Sequence, residues 1–192
     1  KAATAVLQKY GRGTRSTAAE DFADYQRKKA EKSGKTTPAP RQLEDFSDFV
    51  ARCHAALPGS RGEKYLTGRA LTSATLERFN LGYDAAHDAI VLPYPGTPNS
   101  YYATRAISKK AYYKPNSERA GYEPLFNGGA LYAGAGAVFV VESQLGAISV
   151  EQAGGAAVAI GGSGERKLID AIKGKPTTAA LIVDRKSTRL NS

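Results

Sequence analysis

The stretch that decides the fold spans residues 137–150 and reads AVFVVESQLGAISV. It opens with a continuous apolar run, which is typical of a strand buried on both faces of a parallel sheet. The run ends at Glu142, and the apolar residues that follow are at near-helical spacing until Gly154 and Gly155 stop the pattern. The stretch therefore predicts a strand that leads into a helix, with a carboxylate at the junction.

The same alternation continues towards the carboxyl end of the chain. AAVAIGG predicts a second strand, GERKLIDAIKGK a second helix and TTAALIVD a third strand. This order predicts right-handed crossovers and a parallel sheet, whose ligands bind beyond the carboxyl ends of the strands. Those ends carry Glu142, residues 161–163 and Asp184. Two carboxylates at one edge could hold Mg²⁺, but Glu142 could instead cap the helix that follows it.

Residues 43–133 predict a separate region in which helices precede a hairpin. One helical pattern starts at Leu43 and stops at residues 57–59, and Thr72 or Ser73 could cap a second helix that ends near Phe79. AIVLPY and YYATRAI, joined by the turn PGTPNS, predict two paired strands. The predicted fold class is therefore α/β, with a small α+β subdomain followed by a parallel sheet with flanking helices.

The charge of the chain points to a polyanionic partner. The 192 residues carry a net charge of +9, which favours nucleic acid or an acidic membrane surface, although a merely basic protein is the alternative. Five cations are interleaved with two tyrosines, and only Glu118 opposes them: Arg105, Lys109, Lys110, Lys114 and Arg119. Such a mixture suits a surface that follows phosphates and stacks bases, and a solvated loop would have the same composition.

Cysteine, histidine and hydrophobic patterns exclude several other classes of protein. The single cysteine cannot form an internal disulfide, and the two histidines show no zinc-ligand spacing. No apolar run approaches the length of a membrane span, and no signal peptide is visible. We therefore predict a cytoplasmic protein with no membrane partner.

The two ends of the chain read differently from its centre. Residues 1–10 predict the end of a helix from a preceding domain, and residues 11–42 have the polar, charged composition of a flexible linker. Residues 184–192, DRKSTRLNS, resemble a translated sequencing adapter and predict a non-native tail. On that interpretation the natural protein continues past Val183, and the chain is truncated there.

Several blocks, in order, resemble the catalytic region of bacterial and phage-type DNA primases (DnaG-like). They are YLTGRALTSATLERFNLGYD, AIVLPY, YYATRA, YKPNSERAGYEPLFNGGALY and VFVVES, within about residues 60–183. In that family a basic amino-terminal subdomain precedes a Toprim domain, which the resemblance places at residues 43–133 and 134–183. The start of the chain also resembles the last helix of the zinc-binding primase domain, so zinc is expected only in a missing amino-terminal domain.

The resemblance implies roles for individual residues. Glu142 matches the Toprim glutamate, which acts as a general acid/base or a metal-associated acid in the family. Arg105 matches the arginine that closes the strand before the basic stretch. Lys114 falls within the family's Lys-Tyr-x-Asn-Ser motif, although residues 113–117 read YKPNS and exchange the lysine and the tyrosine.

The chain departs from the family at the acids that bind metal. The glycine that usually follows the glutamate is Ser143, and the second acid, four residues after the glutamate, is Gly146. Asp184 stands where the first acid of an Asp-x-Asp pair belongs, and Lys186 takes the place of the second, which a charged lysine cannot replace as a ligand. The resemblance thus implies a Mg²⁺ or Mn²⁺ site in the intact parent, with Glu142 and Asp184 as its candidate ligands here.

The chain is predicted to be a fragment of a DNA primase from a phage or mobile element, and the fragment is predicted to be inactive as given. The parent would synthesise RNA primers from ribonucleotides on single-stranded DNA by Mg²⁺-dependent nucleotidyl transfer, with a replicative helicase as a further candidate partner. The alternative is a non-catalytic, Toprim-containing module that binds single-stranded nucleic acid during replication. A different Toprim enzyme, such as a topoisomerase or nuclease, is a third interpretation. The RFNLGYD and LFNGGALY blocks argue against it, because they resemble primases specifically.

Overall fold

A computed structural model describes residues 44–109, 111–161 and 165–183. The predictions for residues 1–10, 11–42 and 184–192, and those for Lys110 and Asp184, fall outside these ranges.

Three short helices begin the described part of the chain: α1 Ser47–Ala55, α2 Arg61–Thr67 and α3 Ser73–Arg78. The Ser60 hydroxyl accepts a hydrogen bond from the Glu63 amide and so caps α2. Thr72 caps α3 in the same way, by accepting from the Thr75 amide. Thr72 is one of the two caps predicted from the sequence, whereas α2 was not predicted.

A four-stranded antiparallel sheet follows, formed in order by β1 Gly82–Asp84, β2 Ala89–Pro93, β3 Tyr102–Ala106 and β4 Tyr112–Tyr113. The predicted hairpin is β2 and β3, in which Ala89 lies opposite Ala106. β4 pairs only two residues with β3, so Tyr112 and Tyr113 stay half exposed at the edge of the sheet. A short helix, α4 Ser117–Ala120, and a 3-10 turn at Gly128–Tyr132 then lead to the second sheet.

The second sheet is parallel and has β5 Ala137–Val141 at its centre, between β6 Ala157–Ala159 and β7 Ala180–Val183. Helix α5 Gln144–Gln152 connects β5 to β6, and helix α6 Glu165–Gly174 precedes β7. The fold class predicted from the sequence is confirmed: the chain is mixed α/β, with a parallel three-stranded sheet and flanking helices. The domain limits given above remain predictions.

One hydrophobic core joins the two sheets. Phe126 is fully buried in it, and its carbonyl oxygen accepts a hydrogen bond from the Ala159 amide of β6 at 3.2 Å. Residues from α1 to β3 share this core with Leu145 and Ile148 of α5. A smaller cluster around Val138 covers the other face of the parallel sheet.

Burial of β5 differs from the prediction on one of its faces. Val138 and Val140 are buried as expected, but Phe139 is 36% exposed, because that face of the described sheet is only partly covered. None of the helices within the described residues has the length and apolar character needed to cross a membrane.

Candidate nucleic-acid interface

The carboxyl edge of the parallel sheet brings the ends of β5 and β6 side by side. The Ile160 amide donates to the Val141 carbonyl at 3.0 Å, and the Gly161 amide donates to the Glu142 carbonyl at 2.9 Å. These bonds leave the Glu142 side chain exposed at the edge. The N-cap of α5 is Ser143, whose hydroxyl accepts from the Gly146 amide at 3.1 Å. The capping role that the sequence left open for Glu142 is thus filled by Ser143.

A pocket of about 320 Å³, here called the edge pocket, lies at this edge. It is lined by Ala103, Tyr112, Tyr113, Lys114, Glu142, Ser143, Gln144 and Gly161. The antiparallel strand β4 and the carboxyl edge of β5 therefore meet around one cavity. Two residues singled out from separate parts of the sequence, Lys114 and Glu142, face the same space.

A buried hydrogen bond fixes one wall of the edge pocket. The Gln144 side-chain amide donates to the Tyr94 hydroxyl at 2.9 Å, and both residues are less than a tenth exposed. Burial raises the pKa of the Tyr94 hydroxyl. This bond ties the start of α5 to the chain that follows β2, and neither residue was singled out from the sequence.

Lys114 shares a carboxylate with a lysine from helix α6, which precedes β7 of the parallel sheet. The Glu123 carboxylate accepts from the ammonium groups of both Lys114 and Lys167, the latter on α6, and we call this group the lysine–carboxylate triad. Partial burial alone would raise the pKa of Glu123, but hydrogen bonds and charges from the two lysines outweigh it and hold the pKa below its usual value. One carboxylate between two ammonium groups leaves a net positive charge beside the edge pocket.

Arg119 forms a two-pronged ion pair within the chain. Its guanidinium donates to both carboxylate oxygens of Glu44, at 2.8 and 2.7 Å, and to the Tyr113 hydroxyl at 2.9 Å. The hydrogen bond from Arg119 lowers the pKa of Glu44, and the same bond raises the pKa of Arg119. Arg119 therefore holds Tyr113 in place at the sheet edge.

The remaining predicted cations lie on the antiparallel sheet. The Arg105 guanidinium is 5.4 Å from the centre of the Tyr112 ring and 5.8 Å from that of Tyr65, at cation–π distance from both. Lys109 is exposed and lines a second pocket, on a face of the antiparallel sheet. Lys110 lies outside the described residues, so the structure places four of the five predicted cations.

The described acids do not form a metal site. Within residues 44–109, 111–161 and 165–183 no group of three acidic, histidine or cysteine side chains could hold an ion, and Glu142 is the one acid among the described residues of the edge pocket. At Gly146 an added Cβ would come within 3.1 Å of the Ser143 hydroxyl, which is a tight contact. The cap formed by Ser143 therefore favours glycine at position 146. The acids among the described residues do not supply a complete set of ligands for Mg²⁺.

Solved structures share this arrangement of sheets and helices. The match to the DnaG catalytic core has a TM-score of 0.58 and 15% identity, covering 72% of this chain and 59% of that one. The match to the DnaG primase catalytic domain bound to single-stranded DNA has a TM-score of 0.57 and 15% identity, and it covers 72% of this chain and 60% of that one. The chain has the fold of a DnaG catalytic core.

A third structure with the DnaG fold is the Aquifex aeolicus primase with its zinc-binding and RNA polymerase domains. It matches with a TM-score of 0.54 and 16% identity, over 71% of this chain and 46% of that one. The chain thus spans roughly half to three-fifths of the length of these structures. No model of a known protein family and no curated protein matches the chain.

Proposed function

We propose that the chain is part of a DNA primase that makes RNA primers from ribonucleotides on a single-stranded DNA template. The observation that carries this proposal is the edge pocket, where Glu142 at the end of a parallel strand faces Lys114 and two exposed tyrosines. One of the solved structures with the same fold is bound to single-stranded DNA, which supports a single strand as the ligand.

Different residues of the edge pocket contact different parts of the bound strand. Lys114, kept close to Lys167 by Glu123, attracts the phosphates of the strand, while the rings of Tyr112 and Tyr113 offer surfaces on which bases stack. Glu142 is the proposed acid of the reaction centre, as a general acid/base or a metal-associated carboxylate. When bound, Mg²⁺ would neutralise phosphate charge, but its further ligands would have to come from outside the described residues.

A non-catalytic binding module is the second candidate, and the residues at the start of helix α5 favour it. Ser143 fills the cap and crowds the Cβ position at Gly146, where the family's second acid would stand. Primer synthesis on a single-stranded template with ribonucleotides and Mg²⁺ tests whether the chain itself is catalytic. Mg²⁺-dependent synthesis that Glu142→Gln abolishes would establish the enzyme, and binding without synthesis is the result we expect from this chain.

Binding of a single-stranded oligonucleotide tests the proposal. We expect affinity to fall as salt rises, with a log–log slope that becomes shallower by about 0.7 for each phosphate contact removed. Lys114→Gln removes one such contact and should both weaken binding several-fold and flatten the slope. The measurement is fluorescence anisotropy of a labelled oligonucleotide over a series of salt concentrations.

Lys64→Gln is the matched control, because Lys64 is exposed on α2, outside the edge pocket, and the substitution changes the net charge equally. If Lys64→Gln weakens binding as much as Lys114→Gln, the basic charge acts without a defined site. Affinity that is undetectable even at low salt would rule out the proposed function.

A further inference from the structure

A second pocket, of about 500 Å³, opens on a face of the antiparallel sheet, and we call it the sheet-face pocket. One wall is a row of aromatic rings: the ring centres of Phe49 and Tyr102 are 4.8 Å apart, and those of Tyr102 and Tyr113 are 6.5 Å apart. Small side chains, Ala89, Ala106 and Ala111, also line the pocket and leave its volume open. The volume falls within the range of small-molecule sites, about 300–1,000 Å³.

Polar groups stand at the border of this aromatic wall. Asp84 accepts a hydrogen bond from the amide of Ala86 at 3.1 Å and pairs with Nδ1 of His87 at 2.6 Å. Asp84 thereby fixes the imidazole, and Nε2 of the exposed His87 ring is the nitrogen that can meet a ligand. Lys109 adds an exposed ammonium group to the same pocket.

The two pockets are neighbours across one edge strand. Tyr112 and Tyr113 of β4 line both the edge pocket and the sheet-face pocket. Arg105 lies over the Tyr112 ring and Arg119 holds the Tyr113 hydroxyl, so both rings are positioned from within the chain. A strand bound at the edge pocket can therefore pass over β4 and place its next nucleotides at the sheet-face pocket.

We infer that the sheet-face pocket binds one unstacked nucleotide of a single strand held at the edge pocket. The base stacks on the aromatic wall formed by Phe49, Tyr102 and Tyr113, and a phosphate lies near the Lys109 ammonium group. Stacking on aromatic side chains tolerates any base, so this site contributes affinity without strong sequence preference. The inference deepens the proposed function and rests on it.

Charge complementarity favours a nucleotide as the occupant. Lys109 lies in the pocket and Arg105 lies over the ring of Tyr112, while Asp84, the one carboxylate among the described lining residues, is already paired with His87. A planar ring combined with an anionic group matches this set of stacking surfaces and cations. A purely apolar peptide segment would offer no anionic group to Lys109.

Filling the pocket tests the inference. Ala106→Phe places a ring among the lining residues, whereas Ala51→Phe makes the same change at an exposed position of α1 outside both pockets. We expect Ala106→Phe to weaken oligonucleotide binding by at least about fivefold, and Ala51→Phe to leave it unchanged. Circular dichroism of each variant verifies its fold.

Two further measurements keep the test decisive if Ala106→Phe does not fold. The first uses oligonucleotides with 2-aminopurine at successive positions, of which one, beyond those that stack at the edge pocket, should be quenched by stacking when bound to the wild-type chain. The second uses Lys109→Gln, an exposed substitution that should flatten the salt slope by about 0.7.

The outcomes separate the two proposals. Unchanged affinity and unchanged salt slope in the pocket variants, with no quenched 2-aminopurine position beyond those at the edge pocket, would overturn the nucleotide site and leave the edge pocket intact. That result would indicate that the sheet-face pocket binds a protein partner instead. If the wild-type chain binds no oligonucleotide at low salt, the proposed function fails, and the inference that depends on it fails too.

Discussion

Phe126→Ala is expected to remove about 3–5 kcal/mol from the free energy of unfolding, the usual loss when a buried phenylalanine becomes alanine. Phe126 is fully buried, with its ring centre 5.0 Å from that of Tyr94 and 6.4 Å from that of Phe79. Because its backbone also bonds Ala159 of β6, the residue joins the antiparallel and parallel sheets that form the edge pocket. Loss of this ring should therefore weaken oligonucleotide binding as well as stability.

Denaturant unfolding followed by circular dichroism measures the effect. The matched control is Phe139→Ala, because Phe139 is 36% exposed and leaves a smaller cavity. Since a domain of this kind is stable by about 5–15 kcal/mol, the predicted loss is a large share of the total. Equal losses for the two variants would contradict the role assigned to Phe126.

Gly82→Ala should destabilise the chain by about 1–3 kcal/mol through overpacking. An added Cβ at Gly82 would lie 2.8 Å from the backbone carbonyl carbon of Cys53 and 2.9 Å from the backbone nitrogen of His54. Backbone atoms of a helix cannot rotate away as a flexible side chain can, so α1 must shift relative to β1. Because α1 carries Phe49, the shift would also disturb the sheet-face pocket.

Gly136→Ala is the control for this substitution, since no atom lies within 4 Å of the position its Cβ would take. We expect its free energy of unfolding to stay within about 0.5 kcal/mol of the wild-type value. Thermal unfolding of both variants gives the comparison. A Gly82→Ala protein as stable as Gly136→Ala would show that α1 and β1 are less tightly packed than the structure indicates.

Local signals in the sequence predicted most of the parallel half of the fold. The apolar run at residues 137–141 became β5, and the near-helical spacing after Ser143 became α5, because each pattern lies within one continuous segment. Helix α2 was missed although a signal was present. Ser60 and Glu63 have the spacing of a capping box, and Glu63 also accepts a hydrogen bond from the Gly59 amide.

The candidate site was only partly predictable. Glu142 could be singled out because the end of a parallel strand is a known position for ligands. Its meeting with Lys114 in one pocket depends on how two sheets pack, which no local pattern records. The same holds for the lysine–carboxylate triad, where Glu123 reaches Lys167 across 44 positions of the chain. Such contacts leave no periodic signal in the sequence.

Hydrogen–deuterium exchange with and without a single-stranded oligonucleotide tests the central claim most directly, because it shows where the strand binds. We predict slower exchange at residues 111–114 and 142–146, which form the two sides of the edge pocket, and no change at α2. Protection confined to residues 1–42, or absent from both sides of the edge pocket while the oligonucleotide is bound, would contradict the claim.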